Sequence, residues 1–136
     1  MQPSAILETV LYAVDLDAAE AFYSGVLGLE RTARAGERHV FFRCGEQMLL
    51  VFNPDVTRLP HALSALPVPP HGAHGPGHVC FRATAEEIGR WRAGLAASGV
   101  AIEADFEWPQ GGRSLYCRDP AGNSVEFAEP RIWGLA

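Results

Sequence analysis

The sequence contains an internal repeat, and this repeat restricts the possible fold more than any other feature of the chain. In the first half, Glu8 lies in the apolar run AILETVLYA, and a helical segment ends at Gly28, 20 residues further on. In the second half, His78 lies in GHVCFRA, and a helical segment ends at Gly99, 21 residues further on. Glycine tolerates the left-handed conformation that closes the last turn of a helix. The spacing therefore predicts two similar modules, each beginning with a strand and a helix.

The predicted helix starts also match between the two halves. Asp17 and Glu20 form D-x-x-E, Thr84 and Glu87 form T-x-x-E, and both patterns are typical of a capping box. Apolar residues three or four positions apart give each helix one face for the core. These residues are Phe22 and Val26 in the first helix and Ile88, Trp91 and Leu95 in the second.

Strand-like runs follow each predicted helix. They cover about 30–35, 38–44 and 46–52 in the first half and about 101–107, 112–117 and 123–128 in the second. Gly45 and Gly122 lie in the turns before the last strand of each set, and aligning these two glycines places Leu49 opposite Glu126. The sequence thus predicts an α+β fold in which two βαβββ modules form an open, mixed β-sheet cup with the helices outside.

We expect a single domain over residues 1–136. Its parts are module 1 at about 5–53, a Pro-rich connection at 54–76, module 2 at about 77–128 and a C-terminal tail at 129–136. The connection contains six prolines, which make it stiff rather than flexible. Two interpretations remain open, since such a segment could cover a site as a lid or wall, or could cross between the modules as a strap.

Three histidines lie in or near this connection: His61, His71 and His74. The spacing of His71 and His74 suits a pair of metal ligands, but their Gly and Pro neighbours disfavour a rigid ligand set. The sequence assigns no role to this segment.

Composition and charge exclude several classes of function. The formal net charge is −5 and no run of Lys or Arg occurs, which argues against nucleic acid and anionic membranes as partners. No apolar stretch approaches the roughly 20 residues of a membrane span, and the N-terminus does not resemble a signal peptide. The three cysteines lack C-x-x-C spacing and are expected to be reduced, mostly buried thiols. These features predict a cytoplasmic protein whose partner is a small molecule.

Glu8, His78 and Glu126 are the candidate metal ligands. Each lies in a short apolar run that is typical of a strand, where a charged side chain is costly unless it is paired or ligated. A single Glu or His in a strand usually faces solvent, but these three occur at repeat-related positions. They therefore suggest one shared site for a divalent ion. Because the set contains oxygen and nitrogen donors but no thiolate, Mn, Fe, Ni, Co and Zn all remain possible.

Three stretches resemble the vicinal-oxygen-chelate superfamily, which includes glyoxalase I, bleomycin-resistance proteins and extradiol dioxygenases. They are ETVLYAVDLDAAEAFYSGVLGLE, GHVCF and RSLYCRDPAGNSVEFAEP, and the resemblance spans about residues 5–130. It implies that Glu8, His78 and Glu126 occupy the family's ligand positions, although the family usually has His or Gln where this chain has Glu8. Glyoxalase I carries a further ligand late in the first module, where the glycine alignment puts Leu49.

The resemblance implies a metal-dependent enzyme that binds a small oxygenated molecule by bidentate chelation, with Glu8 as a possible base. Leu49 cannot ligate or move a proton, so glyoxalase I itself is not expected. Leu49, Ser114 and Tyr116 are the predicted substrate contacts. The alternative is a metal-free, small-molecule or drug-binding protein of the bleomycin-resistance type. A homodimer is expected by analogy.

Trp108 follows the predicted sixth strand, and the sequence leaves two roles open for it. The indole could stack on a substrate, or it could cover the core.

Overall fold

The computed structural model describes residues 1–60, 62 and 65–136, so His61 lies outside the described residues. The chain divides into two compact units, Met1–Gly75 and Pro76–Ala136. Within the described residues, each unit holds one four-stranded sheet. No helix among these residues is long and apolar enough to cross a membrane.

The first unit follows the predicted βαβββ order, with a short helix added at its end. The elements are β1 (Glu8–Tyr12), α1 (Leu16–Glu20), which continues as a π-helical segment (Ala21–Val26), β2 (Glu30–Ala35), β3 (His39–Cys44), β4 (Gln47–Phe52) and α2 (Pro54–Thr57). The strand order in the sheet is β1-β4-β3-β2. Strand β1 runs parallel to β4, whereas the other neighbours are antiparallel.

The second unit repeats this arrangement. The elements are β5 (His78–Arg82), α3 (Ala85–Ala97), β6 (Ala104–Glu107), β7 (Arg113–Arg118), β8 (Ser124–Ala128) and a 3-10 segment (Pro130–Trp133). The strand order is β5-β8-β7-β6, with β5 parallel to β8. The prediction of an α+β fold built from two βαβββ modules with mixed sheets is confirmed.

The helix ends agree with the sequence at three of four positions. Thr84 and Glu87 form the predicted capping box at the start of α3, while Gly28 and Gly99 have φ of +76° and +75° after the helices. The predicted start of α1 was wrong by two residues, because the side chain of Asp15 accepts the bond from the Ala18 amide at 3.0 Å.

Asp17 and Glu20 do not form the predicted capping box because both carboxylates turn to an arginine. The Nη1 atom of Arg34 lies 2.7 Å from the carboxylate of Asp17 and 3.1 Å from that of Glu20. Since Arg34 belongs to β2, these ion pairs connect α1 to the edge of the sheet.

Each helix packs on one face of its own sheet. In the first unit the fully buried Tyr23 ring lies 5.6 Å from the ring of Phe42 on β3. In the second unit the Trp91 ring stacks on Phe127 of β8 at 4.6 Å. Burying one such large side chain stabilises the fold by roughly 1.5–3 kcal/mol. We call the opposite side of each sheet the helix-free face.

The strand register decides which residues share the helix-free face with Glu8. In the first unit Glu8 pairs with Met48 and Val10 pairs with Leu50, while Leu49 pairs with Thr9. Paired residues point to the same side of a sheet and successive residues alternate. Leu50 therefore lies on the helix-free face, and Leu49, which is 2% exposed, lies on the helix face.

The predicted equivalence of Leu49 and Glu126 is wrong by one residue. In the second unit His78 pairs with Ser124 and Cys80 pairs with Glu126, so the counterpart of Glu126 is Leu50. The glycine alignment failed because the hairpins differ. Two residues separate the paired Cys44 and Gln47 between β3 and β4, whereas five separate Arg118 and Ser124 between β7 and β8.

The three cysteines are free, as the lack of C-x-x-C spacing predicted. Cys117 is buried, Cys44 is half-buried and Cys80 is exposed. The prediction that these thiols are mostly buried was therefore wrong for Cys80, which stands on the helix-free face of β5.

Candidate functional site

Glu126 is the centre of a hydrogen-bonded cluster on the helix-free face of the second unit. Its side chain is 8% exposed. One carboxylate oxygen, Oε1, accepts a 2.6 Å hydrogen bond from the hydroxyl of Ser114. The other, Oε2, lies 3.2 Å from Nε2 of His78. The second ring nitrogen of His78 lies 3.0 Å from the hydroxyl of Ser124, so β8 holds the imidazole at both nitrogens.

Ser114 links the carboxylate to Trp108. The indole Nε1–H of Trp108 donates to the Ser114 hydroxyl at 2.8 Å, and that hydroxyl donates onward to Glu126. Ser114 has no exposed surface, so its visible role is to orient Glu126. Sequence reasoning missed this role of Trp108, since the hydrogen bond depends on how the residues between β6 and β7 turn back toward β7.

Tyr116 and Cys80 flank Glu126 on the neighbouring strands. Burial, followed by hydrogen bonding to Glu126, raises the pKa of the Tyr116 phenol to about 12. Partial desolvation by the surrounding sheet face and then the charge of Glu126 raise the pKa of the Cys80 thiol to about 12. Both groups therefore stay protonated at neutral pH, which makes them hydrogen-bond donors and makes Cys80 a poor nucleophile.

Two aromatic neighbours fix the ring of Tyr116. Phe106 of β6 stacks on it with ring centroids 5.9 Å apart and planes at 8°. The ring of His78, on β5, is the second neighbour, and its centroid lies 6.3 Å from that of Tyr116. Tyr116 thus stands opposite Glu126 on the neighbouring strand, and strand alternation had predicted that it shares a face with Ser114.

The remaining predicted residues belong to the first unit. Glu8 opens β1 on the helix-free face and is exposed, while Leu49 points to the opposite face. The hydroxyl of Tyr12 lies 2.7 Å from Nδ1 of His71, and Nε2 of His74 lies 2.8 Å from a carboxylate oxygen of Asp55. The two histidines of the connection therefore have separate partners and do not act as a ligand pair.

The His78–Glu126 pair suits two ligand positions on one metal ion. Ligand atoms bound at about 2.0–2.2 Å with tetrahedral or octahedral angles lie about 2.8–3.6 Å apart. The 3.2 Å separation of Nε2 and Oε2 falls in that range. Across residues 1–60, 62 and 65–136, however, no group of three or more His, Cys, Asp or Glu side chains is arranged to hold a metal. The second unit thus offers two of the three predicted ligands.

Comparison with known proteins places this arrangement in a family. A family model described as the Glyoxalase/Bleomycin resistance protein/Dioxygenase superfamily matches residues 5–127. The crystal structure of a lactoylglutathione lyase from Agrobacterium tumefaciens is 48% identical, covers 99% of this chain and 100% of that chain, and superposes with a TM-score of 0.94. No curated protein matches this chain.

More distant structures share the fold. A glyoxalase/bleomycin resistance protein/dioxygenase from Nocardioides is 21% identical, covers 95% of this chain and 85% of that chain, and has a TM-score of 0.73. A superfamily member from Sphaerobacter thermophilus is 18% identical, covers 93% and 98%, and has a TM-score of 0.69. The resemblance seen in the sequence is confirmed, and the chain belongs to the Glyoxalase/Bleomycin resistance protein/Dioxygenase superfamily.

Proposed function

We propose that this protein is a metal-dependent enzyme that binds a small oxygenated substrate through two adjacent oxygens. His78 and Glu126 are two of the metal ligands, and Glu8 is the third. The observation that carries the proposal is the 3.2 Å separation of the His78 imidazole and the Glu126 carboxylate on one sheet face. A bound divalent ion would supply Lewis-acid stabilisation of negative charge on a substrate oxygen.

The chain's own groups have defined tasks in this proposal. The Trp108–Ser114 hydrogen bonds hold the Glu126 carboxylate in one orientation, which limits the reorganisation needed for ligation. Tyr116 keeps its proton and can donate a hydrogen bond to a substrate oxygen. Glu8 is exposed and is our candidate base, since an exposed carboxylate can move between a ligand and a proton-accepting role.

Lactoylglutathione lyase activity, which is the activity of glyoxalase I, is the first to assay. The 48% identical structure from Agrobacterium tumefaciens carries that name, so this activity is no longer set aside. The sequence-based argument against it used Leu49, but the register-equivalent of Glu126 is Leu50. Leucine at this position still offers no carboxylate, and we therefore assign the proton transfer to Glu8 alone.

A metal-free binding protein is the second candidate, and one observation favours it. Both oxygens of Glu126 already have protein partners, in Ser114 and His78. In addition, the described part of the chain contains no group of three arranged ligands. A carboxylate that is satisfied in this way can serve as the polar floor of a binding site without any ion.

Metal binding separates the two candidates. Untagged protein is analysed for bound metal and then titrated calorimetrically with Mn²⁺, Co²⁺, Ni²⁺ and Zn²⁺. We expect one ion per chain, and we expect Glu126→Gln and His78→Gln to weaken binding by about 100-fold or more. His74→Gln is the matched control because His74 pairs with Asp55, and it should bind like the wild type.

Two outcomes would contradict the enzyme proposal. One is wild-type protein that binds no ion at micromolar concentration, which would favour the binding protein. The other is metal binding that survives both substitutions at the His78–Glu126 pair. Glu8→Gln tests the third ligand separately, with a smaller loss of affinity expected than for Glu126→Gln.

We also propose a homodimer in the cytoplasm. The family resemblance supports the dimer, while the three free thiols support a reducing compartment. Sedimentation equilibrium of the purified protein tests the dimer, and a monomer at micromolar concentration would contradict it.

A further inference from the structure

The imidazole of His78 is held at both nitrogens by side chains of one neighbouring strand. His78 and Ser124 are the first residues of β5 and β8, and the register pairs them across these two parallel strands. Nδ1 of His78 lies 3.0 Å from the Ser124 hydroxyl, and Nε2 lies 3.2 Å from the Glu126 carboxylate. Because Ser124 and Glu126 alternate with Val125 on β8, both point to the helix-free face. The two contacts together select one rotation of the ring.

The backbone that carries Ser124 is fixed by hydrogen bonds at the start of both strands. The amide of Ser124 donates to the carbonyl of Gly77 at 2.9 Å, and the amide of Gly77 donates to the side-chain oxygen of Asn123 at 2.7 Å. Asn123 is 1% exposed, and its own amide donates to the carboxylate of Asp119 at 2.9 Å. The Ser124 hydroxyl is therefore preorganised beside the His78 ring, which lowers the cost of ordering the site.

The position of the proton on His78 follows from the partners of Glu126. An ionised carboxylate can only accept hydrogen bonds. One oxygen of Glu126 accepts from the hydroxyl of Ser114, and the other faces Nε2 of His78, which therefore carries the proton. In a neutral imidazole this leaves the lone pair on Nδ1, so the Ser124 hydroxyl is the donor in this contact.

Metal ligation through Nε2 requires the opposite arrangement on His78, because the lone pair then has to be on Nε2. The proton sits on Nδ1 in that case, and Ser124 has to accept it in a hydrogen bond. A hydroxyl can change from donor to acceptor by rotating about its C–O bond, whereas a carboxylate only accepts and an ammonium group only donates. Ser124 therefore suits both positions of the His78 proton without movement of the backbone.

We propose that Ser124 is a positioning residue for His78, which orients the ring and accepts the Nδ1 proton when Nε2 binds a metal ion. This role rests on the proposed function, in which Nε2 is the ligating atom, and Ser124 itself does not contact the ion. Loss of such a partner to a metal-binding histidine weakens metal binding by about tenfold to 100-fold. Since the side chain of His78 is 49% exposed, water competes for this hydrogen bond, and we expect a loss at the lower end of that range.

The mobility of the His78 ring in full-length protein with EDTA tests the positioning without any metal. Relaxation of the ¹³C-labelled ring gives its order parameter. We expect a lower order parameter in Ser124→Ala, because the ring is then held only at Nε2, and recovery in Ser124→Thr, which keeps the hydroxyl. Ser98→Ala is the matched control, since it removes the hydroxyl of an exposed serine at the end of α3, and it should leave the ring unchanged.

The ¹⁵N shifts of the ring nitrogens test where the proton lies. In wild-type protein with EDTA at mildly alkaline pH, we expect Nε2 of His78 to be protonated and Nδ1 to be unprotonated. Addition of Zn²⁺ should place the proton on Nδ1. Ser114→Ala removes a donor to Glu126 but leaves Ser124 in place, so the proton should remain on Nε2 in EDTA.

Calorimetric titration with Zn²⁺ measures the consequence for ligation. Ser124→Ala should weaken Zn²⁺ binding roughly tenfold, whereas Ser124→Thr and Ser98→Ala should bind Zn²⁺ like the wild type. Recovery by threonine separates an effect of the hydroxyl from a general loss of stability.

The proposal would be overturned by an unchanged order parameter of the His78 ring in Ser124→Ala, by a proton on Nδ1 of the wild-type ring in EDTA, or by wild-type affinity for Zn²⁺ in Ser124→Ala. A wild type that binds no Zn²⁺ would instead contradict the proposed function. The measurements in EDTA need no metal, so they decide whether Ser124 orients His78 in either case. The ring shifts need only wild-type protein, so they remain decisive even if a variant does not fold.

Discussion

The two units share the same arrangement of strands and helices, but the side chains on their helix-free faces differ in chemistry. Both sheets have the same strand order and the same parallel and antiparallel pairing. Register-equivalent positions nevertheless hold different residues. Glu126, Ser114 and Tyr116 in the second unit correspond to Leu50, His39 and Phe41 in the first.

This difference shows that the repeat determines the positions of the side chains in the sheet. Their hydrogen-bond partners determine whether a charged group can be buried there. Glu126 can remain buried because Ser114 and His78 contact its two oxygens. The counterpart of Glu126 in the first unit is the apolar Leu50, which pairs with Phe41. The polar cluster of the second unit and the aromatic side chains of the first thus occupy equivalent positions in the two sheets.

The sharpest way to break the comparison is to place a carboxylate in the first unit. Leu50→Glu should lower the free energy of unfolding by about 2–3 kcal/mol, since the site is 7% exposed and offers the acid no matched donors. Leu49→Glu should cost more, about 4 kcal/mol or a failure to fold, because Leu49 points toward the helix and is 2% exposed. Urea denaturation measures both.

The order of these two variants is the informative result. If Leu49→Glu were tolerated better than Leu50→Glu, the register would be misassigned, and the counterpart of Glu126 would be Leu49 after all.

A second test removes one donor from the polar cluster. Ser114→Ala leaves an oxygen of Glu126 and the indole N–H of Trp108 without their shared partner inside the protein. It should lower the free energy of unfolding by about 2 kcal/mol. The equivalent change in the first unit, His39→Ala, removes a half-buried ring and should cost about 1 kcal/mol.

Equal losses for these two variants would contradict the view that the second unit is organised around Glu126. If Glu126 ligates a metal, Ser114→Ala should also weaken metal binding about tenfold, whereas His39→Ala should leave it unchanged.

Most of the fold could be predicted from the sequence because the repeat appears in local signals. Strand bounds, the capping box at Thr84 and the glycines after both helices depend on residues close together in the chain. The exact start of α1 could not be predicted, since Asp15 and Asp17 are equally good caps in isolation. The choice depends on Arg34, which lies on a later strand and recruits Asp17.

The site was predictable only as far as strand alternation reaches. The repeat predicted that His78 and Glu126 share a site, and strand alternation put Ser114 and Tyr116 on the same face. Alternation could not predict that the β3–β4 and β7–β8 hairpins differ in length, and this is why Leu49 was chosen over Leu50. Nor could it predict the hydrogen bond of Trp108 to Ser114, because this depends on how the residues between β6 and β7 fold back.

The smallest predicted effect is a change in stability at alkaline pH caused by Tyr116→Phe. This substitution places phenylalanine in the second unit at the position equivalent to Phe41 in the first. In the native protein the pKa of Tyr116 is raised to about 12, whereas the unfolded chain releases this proton near 10. The stability contributed by Tyr116 is therefore fully present below pH 10 and is lost as the pH rises toward 12. Because the ring is half-buried and water screens its charge, we expect this loss to be about 1 kcal/mol.

Free energies of unfolding from urea titrations between pH 8 and 11 should fall less steeply above pH 10 in Tyr116→Phe than in the wild type. The pKa of Cys80 is raised from 9.0 to about 12 and that of Cys117 to about 11, so these thiols lower the stability from about pH 9. Because both proteins contain these thiols, the two curves should run parallel below pH 10. An equally steep fall above pH 10 in the variant would mean that the contact between Tyr116 and Glu126 does not distinguish the second unit from the first.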